Sequence, residues 1–499
     1  MWGMTKSKQG NDGQAQDGAT TADASPSSSS SSSSSTTNQT TSTSRSRPTH
    51  HANDSKSSFK NPWPSASAPS LSEMVSGGLP IGLPHRHLHK HPKARALQVL
   101  KPDWGAAKLS QGSSQTHTPC ESMNKQGKLL GTWLGHASAW CEVPLVDGER
   151  GKAKPRSVKL LFDPIFSGRA GPTAYTGPTR LKDSPCQVDE LPGCDAVFIS
   201  HNHYDHLDLS SIQAVIEHYP KCHYFVPLGQ STLTSFPYSR KILLLIPITT
   251  AGNRKWFLDT GAPQDRIHEM DWWDKKEFCP EEIGYEADPS GAQETSRLRF
   301  TCVPSQHNSG RAALDQGSTL WCGWVVEHFV HSLATKDGDK STERITRKGA
   351  IYHAGDTGYR RHKKSKVVCP IFEEIGQKYG PFDLSFIPIW RGGSLGFVSW
   401  IGLRLAHENI PAALHGSPTD AVAIHLDVRS RTSIGVHFGT FIGAEEESLE
   451  AIIELQDACD EEGVASESEL GGVEHDKGKF GIVDLGETVV VDVADLVIV

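Results

Sequence analysis

The stretch DAVFISHNHYDHLD, Asp195 to Asp208, decides how the rest of the chain is read. Its apolar start predicts a strand that ends at Ser200, and the turn beyond it delivers His201, His203, Asp205 and His206. Neutral imidazoles and a carboxylate are the ligands that borderline first-row divalent metals accept. His201 and His203 alternate and can converge on one ion, while Asp205 and His206 swing towards a second. A single histidine near a strand end is usually just hydrogen-bonded; four ligand-type side chains within six residues point to a metal centre.

Two ions need more ligands than this turn supplies, and they are sought where later strands give way to glycine-containing or polar turns. His307 follows RLRFTCVP, Asp356 follows AIYHAG, and His437 follows SIGV. The expected sets are His201, His203 and His307 for one metal, and Asp205, His206 and His437 for the other, with Asp356 bridging. Gly355 and Gly358 flank Asp356 and permit the tight backbone that a short bridging carboxylate needs. His353, three residues before Asp356, reads as a packed strand residue.

With these residues in place, HxHxDH followed by isolated His, Asp and His resembles the signature of the metallo-β-lactamase superfamily. That likeness implies an α/β fold, a four-layer αββα sandwich. FKNPWP at Phe59, TWLGHAS at Thr132, DPIFSGRAGP at Asp163, DWWD at Asp271, PSQHNSGR, HAGDTGY, GPFDLSFIPI and HFGTF follow one another in order. Together they resemble the N-acyl-phosphatidylethanolamine-hydrolysing phospholipase D family over about Phe59 to Phe441. In that family the matching positions bind two zinc ions, so the resemblance implies two Zn2+ as cofactors and a phospholipid substrate. The chain departs from the family at Trp390 to Gly393 and the longer segment Ser394 to Leu414, and in the added run RRHKKSK after Tyr359.

The reaction so implied is phosphodiester hydrolysis, releasing N-acylethanolamine and leaving phosphatidic acid. Two closely spaced zinc ions suit it, because they supply hydroxide at neutral pH and neutralise charge developing on a phosphoryl oxygen. Asp205, Asp356 and His415 are the expected catalytic residues. His415, in LHGSPTDA, matches a family histidine at the mouth of the site and is expected to donate a proton or contact the phosphate. Arg311, four residues after His307, is the second expected phosphate contact. His136 and Asp163 are expected to orient the ligand histidines from behind, and Trp272 and Trp273 to pack in the core. The competing reading is a metal-dependent lactonase or phosphodiesterase of a soluble metabolite.

Composition bounds these readings. The chain has 499 residues, with 50 Lys plus Arg against 58 Asp plus Glu and a formal charge of −8. That balance gives no global attraction for a polyanion, so nucleic acid is not an expected partner. The longest strictly apolar run, Ile242 to Ile246, is far short of the ~20 residues of a membrane-spanning helix. The N-terminus has no apolar segment of the ~7 to 15 residues of a secretory signal, and the 10 cysteines are scattered as free thiols would be. An intracellular, cytoplasmic protein with peripheral membrane association is expected. Residues 1–58, with serines unbroken from Ser27 to Ser35, read as a disordered tail. Residues 59–126, including the histidines at 85, 87, 89 and 91, read as an extended linker and N-terminal wrap, and residues 127–499 as the catalytic domain. Arg360, Arg361, Lys363, Lys364 and Lys366, with the apolar run Leu395 to Leu403, are expected to dock on an anionic membrane.

Overall fold

The computed structural model describes residues 48–67, 81–82, 87–110, 127–145, 157–229, 252–283, 294–312, 315–334, 342–362, 365–390, 403–405, 413–441, 445–466 and 476–498. In chain order these form β1 (Ile81–Gly82), α1 (Ala106–Ser110), β2 (Leu129–Gly135), β3 (Ser138–Pro144), β4 (Ser157–Phe162), β5 (Ala196–Phe198) and α2 (Leu209–His218). Then come β6 (His223–Pro227), α3 (Asn253–Thr260), β7 (Ile267–Met270), β8 (Lys275–Phe278), β9 (Glu294–Val303), β10 (Gly323–Ala334) and β11 (Thr342–His353). The chain closes with α4 (Ile371–Tyr379), β12 (Leu384–Pro388), β13 (Arg404–Leu405), α5 (Pro418–Asp427), β14 (Thr432–Val436), α6 (Glu445–Glu462), β15 (Lys479–Gly481), β16 (Thr488–Val491) and β17 (Leu496–Val497).

Two large sheets face each other. One has the order β16-β2-β3-β4-β5-β6-β7, the other β15-β14-β12-β11-β10-β9-β8 with β17 added on β11. Alternation along each strand explains the layering, because successive side chains point to opposite faces. In the first sheet Leu160, Phe162 and Phe198 point into the core between the sheets. Leu161, Val197 and Ile199 point the other way, against Ile212 and Val215 of α2 and Phe257 of α3. On the far side α4, α5 and α6 cover the second sheet, with α5 against β12. The expected αββα sandwich is the observed fold.

Phe198 shows what holds the two sheets together. Its ring stacks on Phe162 and Phe225, each 4.9 Å away, and meets Phe300 and Trp324 edge-on at 5.1 and 5.4 Å. Burying a phenyl ring of this kind stabilises by about 2–3 kcal/mol, and truncation to alanine costs about 3–5 kcal/mol once the cavity is included.

Strand direction then sets where chemistry can sit. β11, β12 and β14 are parallel to one another, and β9 runs the same way because two antiparallel pairings through β10 separate it from β11. In the first sheet β4, β5, β6 and β7 are mutually parallel. Open sheets bind ligands beyond the carboxyl ends of such strands. The ends of β5, β9, β11 and β14 lead directly into the segments of His201, His307, Asp356 and His437.

Several expectations need adjusting. Packing begins before residue 59: His50 and His51 are buried, because their rings close on Asp271. Short strands at β6, β7, β8, β15 and β16 were not anticipated, whereas α6 spans the expected Glu445 to Glu462 with Leu449, Ile452 and Leu455 buried. The strand expected at Ile242 to Ile248 and the run Leu395 to Ile401 lie outside the described residues. The basic run is partly committed elsewhere: Arg360 pairs with the buried Asp420, and Arg361 donates to Ser67 Oγ at 2.9 Å. Lys363 and Lys364 lie outside the described residues, and Lys366 is exposed.

Candidate metal centre

The HNHYDH turn is short because Asp208, the last residue of the opening stretch, caps α2, accepting from Ser211 N at 3.0 Å. At the start of the turn, Asp163 accepts from Ser200 N (2.7 Å) and from Ser200 Oγ (2.6 Å). It also accepts from His206 Nδ1 at 2.9 Å. Ser200 Oγ, already donating to Asp163, is the acceptor for His201 Nδ1 at 2.9 Å. His307 Nδ1 donates to the Leu414 carbonyl at 2.8 Å. With their outer nitrogens so engaged, His201, His206 and His307 carry their lone pairs on Nε2, the nitrogens that face one another.

All seven expected ligands converge. His201, His203 and His307 form one group and Asp205, His206 and His437, with His136 beside them, form another. Asp356 lies between. Its Oδ1 is 3.0 Å from His437 Nε2, and its Oδ2 is 3.2, 3.7 and 3.9 Å from Nε2 of His206, His307 and His201. His201 Nε2 and His203 Nδ1 are only 2.7 Å apart, a contact that two lone pairs cannot sustain without a proton or a cation between them. His206 Nε2, both ring nitrogens of His437 and Asp356 Oδ1 are buried and make no aligned hydrogen bond. A donor set of five imidazoles and two carboxylates with orphaned inner atoms fits two divalent cations.

Electrostatics separate the histidines: burial lowers the His206 pKa, but Asp356, Asp205 and Asp163 outweigh it and hold it well above its ordinary value, so with no ion bound a proton on this ring balances the carboxylates. Burial pushes the His201 and His307 imidazoles well below their ordinary value, which keeps them neutral and able to ligate. Burial pushes the Asp205 and Asp356 carboxyls up, but the surrounding imidazoles, His206 foremost, more than reverse this and hold both well below the usual carboxylate range.

Backbone strain marks the same place. His136, Asp163 and His437 have φ of 52°, 40° and 63°, a region that costs non-glycine residues of order 1–3 kcal/mol each. The strain is held by cross-links: His136 N donates to Thr440 Oγ1 (2.6 Å), His437 N to the His136 carbonyl (2.8 Å) and His136 Nε2 to Asp205 Oδ2 (2.9 Å). Gly355 has φ 60°, and a Cβ there would lie 2.5 Å from Ser200 Cβ. Only glycine lets the Asp356 turn press this closely on the HNHYDH turn.

His136 and Asp163 thus sit behind the ligands, and His353 Nε2 is spent on the Ala137 carbonyl at 2.9 Å. His415 joins the cluster, with Nδ1 3.8 Å from Asp356 Oδ2 and its side chain 19% exposed against 1% for Asp356. Burial pushes its pKa down to about 4. Trp272 packs against Trp321 and donates to its carbonyl. Arg311 departs from expectation. Its guanidinium donates through Nε to the carbonyl of Asn202 (2.6 Å) and through Nη2 to that of Leu207, and lies 4.5 Å from the Tyr204 ring, so it braces the HNHYDH turn. Ser200, Thr440 and Gln306 escaped sequence reading. Ser200 stood inside the quoted stretch, but a serine beside a histidine carries no signal of its own.

Comparison with known proteins places this centre. The chain is 29% identical to the N-acyl-phosphatidylethanolamine-hydrolyzing phospholipase D 1 of Caenorhabditis elegans over 345 residues, 68% of this chain and 72% of that protein. It is 31% identical to an uncharacterised protein of Mycobacterium tuberculosis over 317 residues, 63% of this chain and 59% of that one. It is 23% identical to the mitochondrial N-acyl-phosphatidylethanolamine-hydrolyzing phospholipase D of Saccharomyces cerevisiae over 397 residues, 76% of this chain and 64% of that one. The family profile described as the Beta-lactamase superfamily domain matches residues 159–438. That span starts within β4, takes in every candidate ligand position and ends one residue past His437, so the chain is a hydrolase belonging to the metallo-β-lactamase superfamily.

Proposed function

We propose that the protein is a zinc-dependent phosphodiester hydrolase of phospholipase D type, cleaving N-acyl-phosphatidylethanolamine to N-acylethanolamine and phosphatidic acid. The observation that carries the reading is the placement of Asp356 between two sets of ligand-type side chains, an arrangement suited to a phosphoryl group contacted from two sides. The substrate class comes from the similarity to the worm and yeast enzymes.

His201, His203 and His307 would hold one zinc ion and Asp205, His206 and His437 the other, with Asp356 shared. Bound there, the pair supplies Lewis acidity and an acidified water. The chain's own contribution is orientation and charge. Asp163 and Ser200 hold His206 and His201 in the tautomer that presents Nε2 inward, and His136 holds Asp205. Asp205 and Asp356 stay ionised and offset the cationic charge. His415, 19% exposed at the edge of the cluster, contacts a phosphoryl oxygen; with its pKa near 4, a neutral imidazole N–H serves as hydrogen-bond donor. The substrate's lipid implies that the protein visits a membrane surface peripherally, and no helix among the described residues is long and apolar enough to cross one.

The test is to incubate the zinc-loaded protein with N-acylated and with unmodified phosphatidylethanolamine and resolve the products by mass spectrometry. N-acylethanolamine and phosphatidic acid from the first lipid alone are expected. Turnover of a soluble lactone or cyclic phosphodiester, with both lipids untouched, would replace this reading with that of a metabolite hydrolase.

A further inference from the structure

The segment that carries FKNPWP brings a second group of ligand-type residues together, away from the centre just described. His50 and His51 sit in a loop closed by Ala52 N donating to the Ser58 carbonyl (2.8 Å) and Lys60 N to the His50 carbonyl (2.9 Å). Both rings reach Asp271, the residue after β7. His50 Nε2 is 2.8 Å from Asp271 Oδ1 and His51 Nε2 is 2.8 Å from Asp271 Oδ2. The two histidines are 6% and 1% exposed. Their orientation is enforced by packing: the His50 ring stacks on Trp272 at 4.3 Å and the His51 ring meets Phe59 edge-on at 5.3 Å.

We propose that His50, His51 and Asp271 form a third metal site, for zinc or a similar borderline divalent cation, that fastens the N-terminal segment to the edge of the first sheet. Two imidazoles and a carboxylate are a zinc ligand set, with the fourth position left for water. Burial lowers the His51 pKa, favouring the neutral ring. Burial raises that of Asp271, but His50 and His51 outweigh it and keep the carboxylate ionised. One ligand atom from each of the three lies within 4.8 Å of the other two, and a tetrahedral ion with bonds of 2.0–2.1 Å sets such atoms roughly 3.3 Å apart, so small side-chain shifts bring both rings and the carboxylate onto one ion. A ring that ligates through Nε2 carries its proton on Nδ1. A cavity of about 390 Å³ opens beside His51, lined also by Lys60 and Asn61, on the side from which an ion would approach.

The fastening has a beneficiary. Beyond the loop, Asn61 Nδ2 donates to the His307 carbonyl at 2.7 Å and Ser65 Oγ to Gln306 Oε1 at 2.5 Å. The segment pinned at Asp271 therefore also braces the turn that presents His307.

The experiment measures bound zinc per chain on the full-length protein after equilibrium dialysis, for the unaltered chain and for His51→Gln, Asp271→Asn and Asp356→Asn. Three equivalents are expected in the unaltered chain, two in each of the first two variants, and at least one in Asp356→Asn. Equal zinc in the unaltered chain and in Asp271→Asn would overturn the proposal. One equivalent in the unaltered chain, lost in Asp271→Asn, would support it while refuting the dinuclear centre. Should the variants fail to fold, anomalous diffraction from crystals of the unaltered protein at the zinc edge decides. A peak between His50, His51 and Asp271 supports the site, and peaks confined to the Asp356 cluster overturn it.

Discussion

Arg311→Met separates bracing from substrate binding. The guanidinium donates to two carbonyls five residues apart on the metal turn, Asn202 and Leu207, and lies over the rings of Tyr204 at 4.5 Å and Trp256 at 5.3 Å. Two hydrogen bonds from a charged donor contribute about 3–6 kcal/mol, and the aromatic contacts about 1–2 kcal/mol more. Against this stands the cost of desolvating the cation. Burial lowers its pKa from 12.5 to about 10, and at 1.36 kcal/mol per pKa unit that is roughly 3 kcal/mol. The net loss in Arg311→Met is then on the order of 3 kcal/mol, and both carbonyls are left unpaired. Arg311→Lys keeps the charge, but one ammonium on a flexible stem cannot span both carbonyls, so it recovers about half. The assays are urea unfolding of the metal-free protein, zinc content after dialysis, and kcat and KM on a short-chain soluble phosphodiester. Lower stability and zinc retention with KM within about twofold are expected. Full stability and zinc content with KM raised tenfold or more would refute the bracing role and restore Arg311 to the phosphate.

Asp163→Asn removes the acceptor that sets the His206 tautomer; such outer partners are worth about 10–100-fold in metal affinity, so competition with a chelator should show a loss in that range at unchanged fold by circular dichroism. Burial holds His328 and His425 down at about 4. Because the folded pKa lies below the unfolded value of about 6.5, their neutrality is without penalty above pH ~6.5, and stability falls below it by about 1.4 kcal/mol per pH unit for each ring until the folded pKa is reached. Urea melts of metal-free protein between pH 7 and 5 should therefore lose one proton's worth of slope in His425→Gln, and an unaltered slope would count against its burial in the neutral form. Deleting residues 1–46 removes none of the contacts described above and should leave stability and zinc content unchanged. Extending the deletion to residue 58 strips His50 and His51 from Asp271 and should lower both, as read by thermal melting and metal analysis.

The clustering of the candidate ligands was legible because these side chains are chemically conspicuous and fall at strand ends. His201 to His206 announce themselves by density, and His307, Asp356 and His437 by following β-rich runs into glycine or polar turns. The layer order followed from the same superfamily likeness. What stayed hidden depended on partners remote in sequence. Arg311 looks like a phosphate ligand until its fork is seen to be filled by the carbonyls of Asn202 and Leu207, over a hundred residues away. His50 and His51 sit in polar sequence with little apolar content, and their burial comes from Trp272 and Asp271, more than two hundred positions on. Short strands such as β7 and β8, at four residues each, offer too few alternations to stand out from a loop. Arg360 belonged to a run of basic residues, and only the buried acidic side chain of Asp420 distinguishes it from its neighbours.

The close approach of Gly355 to Ser200 has a consequence for how the protein comes together. Ser200 follows a strand of one sheet and Gly355 a strand of the other, so the candidate ligands on either side of that contact belong to separate halves of the sandwich. Neither half alone owns a complete coordination set: His201, His203, Asp205 and His206 come from the first sheet, His307, Asp356 and His437 from the second. With the ligands proposed above, ions would be captured only after the halves have docked, late in folding, and capture would then act as a latch across the seam. Its stabilising effect, RT ln(1 + [L]/Kd) per site, is delivered to the interface between the sheets and to neither sheet alone. Chelation should loosen that seam first, and hydrogen exchange should spread from the facing rows of β5 and β11 before it reaches the outer helices.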